Sequence, residues 1–95
     1  MGEGDGAMTK ETVEELAAKY IQKTERVFQQ LKMNVDATEA DAEKVKAVVD
    51  EAERYLQDAK YYLKRKRSVT SLASVTYCEG LLDALRMLEY VDFSW

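Results

Sequence analysis

The stretch "YLKRKRSVTSL", residues 62–72, decides the architecture, because it either continues one helix or separates two. It contains neither glycine nor proline. Two features still place a break there. Lys64, Arg65, Lys66 and Arg67 set four cations where a helix C-terminus carries partial negative charge, and Ser68 suits the N-cap of a following helix. An unbroken helix from residue 38 to residue 88 would run to about 50 residues, far beyond the length of ordinary globular helices. The spacing therefore predicts a turn and two helices, at about 38–65 and 69–89.

Upstream, Val45, Val48, Ala52, Tyr55, Ala59 and Tyr62 alternate three and four apart, with Val49, Leu56 and Leu63 alongside, as on the buried face of a helix. Thr38, Glu39 and Asp41 suit its start. Before it, Val13, Ala17, Tyr20, Thr24, Val27 and Leu31 form a similar seam, widened by Leu16, Ile21 and Phe28, which predicts a first helix at about 10–32. Thr12 with Glu15 has the form of a capping box, and Thr9 is an alternative cap. Downstream, winding at 100° per residue puts Ser74, Tyr77, Cys78, Leu81, Leu82, Leu85 and Leu88 on the expected core face, with Thr76, Glu79, Asp83 and Arg86 opposite.

Three amphipathic helices with short connections imply an all-α, antiparallel up-and-down three-helix bundle over residues 9–90. Residues 1–8 read as a flexible N-terminal tail, and residues 91–95 as an aromatic C-terminal tail. Tyr90, Phe93 and Trp95 there either fold back on the bundle or enter a partner.

Composition narrows the chemistry. The 95 residues suffice for one domain with a modest core. There is no histidine and one cysteine, so the commonest general base is missing, and a single chain can assemble neither a structural zinc site nor an internal disulfide. A reducing, cytoplasmic setting is expected. The net charge of −4 argues against a nucleic-acid binder, and no run reaches the roughly 20 apolar residues of a membrane span.

The segments "YLQDAKYYL" (55–63) and "YCEGLLDAL" (77–85) resemble the archaeal domain of unknown function 357 family, whose pattern is Tyr-Leu-x-Asp-Ala-x-Tyr-Tyr-Leu followed by Tyr-x-Glu-Gly-Leu-Leu-Asp-Ala-Leu. The resemblance covers residues 55–88. It implies a small three-helix bundle without an established activity, and marks Tyr55, Asp58, Ala59, Tyr62, Tyr77, Glu79, Gly80, Leu81, Leu82, Asp83 and Leu85 as motif residues. The family's glycine or aspartate between the last two helices is replaced here by "KRKRS" (64–68).

Three details of the motif invite explanation. Glu79 and Asp83 are four apart, so they share a face and repel, with Arg86 placed to neutralise Asp83. Gly80 extends a row of small residues with Ala73, Thr76 and Ala84, which predicts close approach of another backbone. Asp58, flanked by Tyr55 and Tyr62, is expected to accept a hydrogen bond from Tyr77 or Thr76 and to fix the helix register. Cys78 reads as a small, unreactive core residue.

The functional expectation is a non-enzymatic interaction or accessory module without a cofactor or a metal ion, acting through a protein partner or as a homodimer that uses the third helix or the tail. Two other readings stand beside it. Asp58, Glu79 and Asp83 could form a carboxylate site for a metal ion or a basic ligand, and the cations at residues 64–67 could contact phosphate.

Overall fold

The structure, a computed structural model, describes residues 11–34, 36 and 40–95. Three helices pack against one another: α1 (Val13–Gln30), α2 (Ala42–Lys64) and α3 (Ser68–Met87). The all-α three-helix arrangement follows the sequence expectation. A two-residue antiparallel ribbon, which the sequence reading missed, joins β1 (Lys32–Met33) to β2 (Val91–Asp92). The proposed N-terminal tail, the Thr9 cap and the Thr38 helix start lie outside the described residues.

The start of α1 is the capping box. The Thr12 hydroxyl accepts from the Glu15 amide, and the Glu15 carboxylate accepts from the Thr12 amide. Both bonds satisfy donors that no helical carbonyl can reach. Ala17, Ile21, Thr24 and Val27 form the buried stripe of α1, and Val45, Ala52, Leu56 and Ala59 that of α2. Both stripes follow the seams in the sequence.

The break in "YLKRKRSVTSL" is real. Lys66 takes a left-handed backbone, φ 64°, after the C-cap Arg65. The Arg67 amide donates to the Tyr62 carbonyl and the Lys66 amide to the Leu63 carbonyl, the pair of bonds that closes a Schellman motif. Glu89, φ 65°, ends α3 in the same way, with the Tyr90 and Glu89 amides donating to Leu85 and Arg86. Ser68 is the first residue of α3 and not its cap. Arg67 holds that place, with no side-chain capping bond.

The rotation of α3 departs from the expectation. Its buried residues are Ser71, Val75, Cys78, Leu82 and Leu85. Ser71 and Val75 were not anticipated, whereas Tyr77 and Leu88, expected in the core, are exposed. The cause is that α3 contacts both other helices, so its core line must bisect them. Ser71 can occupy that line because its hydroxyl donates to the Ala59 carbonyl at 2.7 Å.

The aromatic tail folds back on the bundle. The Asn34 amide donates to the Tyr90 carbonyl, and Gln30 exchanges two hydrogen bonds with the Ser94 backbone. Val91 and Phe93 are buried in the core cluster. The tail therefore completes the bundle, and leaves α3 as the remaining surface for the anticipated association. A chain ending at Glu89 should lose about 3 kcal/mol or more, since burying each such side chain contributes roughly 1.5–3 kcal/mol. Thermal unfolding followed by circular dichroism should then show a fall of about 12 °C or more. An unchanged melting temperature would contradict a structural tail.

Candidate functional site

The motif residues divide between two sides of α3. On the side facing α1, Glu79 is half-buried instead of solvated as expected. One of its oxygens lies 3.2 Å from the hydroxyl of the buried Thr24 and 3.4 Å from the Lys23 ammonium. The Thr24 proton is shared with the Tyr20 carbonyl, 2.8 Å away. Lys23 also lies over the rings of Tyr20 and Trp95. Asp83 accepts from Arg86, as anticipated, and from the Trp95 indole at 2.8 Å. Arg86 in turn covers the Phe93 ring. The two acids thus act as clamps, Glu79 to α1 and Asp83 to the tail. Their mutual repulsion is offset by Lys23 and Arg86.

On the side facing α2, Tyr77 stacks on Tyr55 with ring centroids 4.5 Å apart. This contact sets the relative level of the two helices. Tyr55 thus lies level with Tyr77 across the α2–α3 seam. Asp58 is exposed and makes no hydrogen bond to Tyr77 or Thr76. Its anticipated role in the register belongs to Ser71 and the tyrosine pair. Tyr62 is half-buried, with Arg67 over its ring, and the exposed Tyr61 carries Arg65. Lys66 lies 3.6 Å from Glu14.

Asp58, Glu79 and Asp83 consequently do not converge. Among the described residues no group of three or more His, Cys, Asp or Glu side chains could hold a metal ion. Cys78 is buried, and burial, followed by the carboxylates of Glu79 and Glu53, pushes its thiol from 9.0 up to about 12. It is therefore no nucleophile at neutral pH.

Gly80 also departs from the expectation. It is exposed, and a methyl group added there would meet nothing within 4 Å. No other helix of the chain approaches it. Gly80 lies instead at the middle of the outer face of α3, with Val69, Ala73, Thr76, Tyr77, Ala84, Met87 and Leu88. Val69, Tyr77, Met87 and Leu88 are 72, 54, 79 and 64% exposed. None of these eight residues is charged. The outer face of α1 carries Glu14, Glu15, Lys19 and Arg26, and that of α2 carries Lys46, Asp50, Arg54 and Asp58. Near Leu88 the surface continues into an open groove of about 270 Å³ between α2 and α3, lined by Val45, Val48, Leu85, Leu88 and Tyr90, with Asp41 and Lys44 at its edge. The third helix was expected to offer a surface for association, but counting Tyr77 and Leu88 as core misplaced the face that is exposed. The signal was present in the near absence of charge on three sides of α3.

A family described as protein of unknown function (DUF357) has a sequence pattern that matches residues 19–91. Comparisons with curated proteins and with solved structures find no match. Among the described residues no helix is long and apolar enough to cross a membrane.

Two measurements check this placement. Gly80→Ala should stabilise the dilute protein by up to about 1 kcal/mol, because the intrinsic helix penalty is removed and nothing is crowded. A lowered melting temperature would restore the close-approach explanation. Cys78 should resist a thiol reagent at pH 8 until the protein unfolds. Its influence on stability is set by the raised thiol: below 9.0 both states are protonated, whereas between 9.0 and about 12 only the unfolded chain loses the proton. Stability should therefore fall as pH rises through that window. Rapid labelling of the native protein at pH 8 would show that the site is open.

Proposed function

The chain belongs to the DUF357 family of proteins of unknown function, and from that premise we propose that it is a non-enzymatic interaction module that docks a protein partner on the outer face of α3. One observation carries this reading: an uncharged, largely apolar helix face lies exposed on a protein in which 34% of residues are charged. Exposed apolar surface of this kind, bordered by polar residues, is the usual mark of an interface. Its border is supplied on one side by Glu79, Asp83 and Arg86, and on the other by Tyr55, stacked on Tyr77.

The carboxylates support the same reading by their occupation. Glu79 and Asp83 are engaged by Lys23, Thr24, Arg86 and Trp95, so neither is held ready for proton transfer. A buried thiol adds no nucleophile. The chemistry that remains on offer is surface complementarity.

Cysteine footprinting tests the proposal. Ala84→Cys places a thiol on the outer face of α3, and Ala47→Cys places one on the exposed side of α2. Maleimide labelling in the native cells should be several-fold slower than in the dilute purified protein at residue 84, and unchanged at residue 47. Equal labelling of residue 84 in both settings would overturn the docking role.

A further inference from the structure

We infer that the occupant of the outer α3 face is a second copy of this chain, packed antiparallel with the two-fold axis passing beside Tyr77 and Gly80. The inference rests on the docking role of that face and adds the identity and orientation of the partner.

The distribution of side chains along the face is self-complementary. Its ends carry Val69 and Met87 with Leu88, and its middle carries Tyr77 among the small residues Ala73, Thr76, Gly80 and Ala84. Pairing the face with an inverted copy brings Ala73 against the partner's Ala84, and Tyr77 against the partner's Gly80. Val69 then meets the partner's Met87, which stands about five turns along the same line of the helix. Each contact occurs twice, as two-fold symmetry requires. The space above Gly80, where an added methyl meets nothing, receives the half-exposed Tyr77 ring from the other copy. Gly80, with Ala73 and Ala84, leaves room beside the axis for the two Tyr77 rings.

Charge selects the direction. The N-terminal end of α3 is preceded by Lys64, Arg65, Lys66 and Arg67, all exposed, whereas the C-terminal end is followed by the exposed Glu89. An antiparallel pair sets Arg67 near the partner's Glu89 at both ends of the interface. A parallel pair would set four cations against four, a repulsion that no acid on the face relieves. The antiparallel arrangement also aligns the helix dipoles favourably.

Size sets the strength. A face of 20 residues is about 30 Å long at 1.5 Å per residue. One helix face of that length falls below the roughly 800 Å² per partner of a standard stable interface. The dimer is therefore reversible and concentration-dependent, in keeping with a bundle whose own core is complete.

Sedimentation equilibrium of the full chain at increasing concentration should reveal a monomer–dimer equilibrium. Gly80→Glu, whose Cβ meets nothing in the bundle and whose exposed position puts its charge at the axis, should weaken it about tenfold or more at unchanged helix content. Arg67→Glu should weaken it as well, and adding Glu89→Arg to that variant should restore it. Cross-linking reports direction: a mixture of Ala73→Cys and Ala84→Cys chains should form a disulfide-linked pair faster than either chain alone, with the buried Cys78 taking no part. Preferential linkage of Ala73→Cys to itself would overturn the antiparallel arrangement. A strict monomer at every concentration would overturn the second copy as occupant. If residue 84 were nonetheless protected in cells, the docking role would stand with a different protein in that place.

Discussion

The packing of α3 against both α1 and α2 sets its rotation, which the 2.7 Å hydrogen bond from the Ser71 hydroxyl to the Ala59 carbonyl permits, and most of the remaining structure follows from that rotation. A serine on the line between two helices is tolerated because this bond satisfies a hydroxyl that would otherwise cost on the order of 1–3 kcal/mol. With Ser71 inside, the helical repeat brings Val75, Cys78, Leu82 and Leu85 inside with it. The same repeat turns Glu79 toward Thr24 and Lys23, and Tyr77 toward Tyr55. It leaves Ala73, Thr76, Gly80, Ala84 and Met87 on the far side. That rotation thus decides which motif residues are structural and which are presented to solvent.

Both ends of α3 are set by the same device. Lys66 and Glu89 adopt left-handed backbones that glycine would take at lower cost, and each is held by two hydrogen bonds to the preceding helix. Lys66 brings α3 back alongside α2 within three residues, whereas Glu89 directs the chain into β2 and the core positions of Val91 and Phe93. A non-glycine residue at such a site costs about 1–2 kcal/mol. Tertiary packing on both sides of each turn offsets it here.

Much of this was legible in the sequence, and the failures share a physical origin. The capping box of Thr12 and Glu15, the stripes of α1 and α2, the burial of Cys78 and the break before Ser68 followed from local rules, because each depends on residues a few positions apart. The face of α3 did not. An amphipathic helix announces its buried side by contrast, and α3 has little contrast, since alanine, glycine, threonine and tyrosine stand where charges stand on α1 and α2. Weighting by size then favoured Tyr77 and Leu88 over Ser71 and Val75. The error propagated to the site. Gly80 was assigned a packing role and Glu79 a solvated face from one misplaced rotation, and Asp58 a buried hydrogen bond although it stands on the exposed side of α2. The β1–β2 ribbon was illegible for another reason: two residues per strand carry no periodicity.

The low contrast of α3 is itself informative. A helix apolar around most of its circumference is ordinarily one that is buried around most of its circumference. In this bundle α1 and α2 cover the arc from Leu72 through Ser71 to Leu81, and the tail covers only the neighbourhood of Asp83. Solubility would favour lysine or glutamate at Ala73, Gly80, Ala84 and Met87, where the fold places no steric demand and helix propensity would gain from replacing Gly80. A sequence rich in charge everywhere else, yet lacking it along this single line, is suited to a surface that spends part of its time covered. The clamps at Glu79 and Asp83 hold that line straight and keep it facing outward, which is a structural task that two carboxylates can perform without any chemistry of their own.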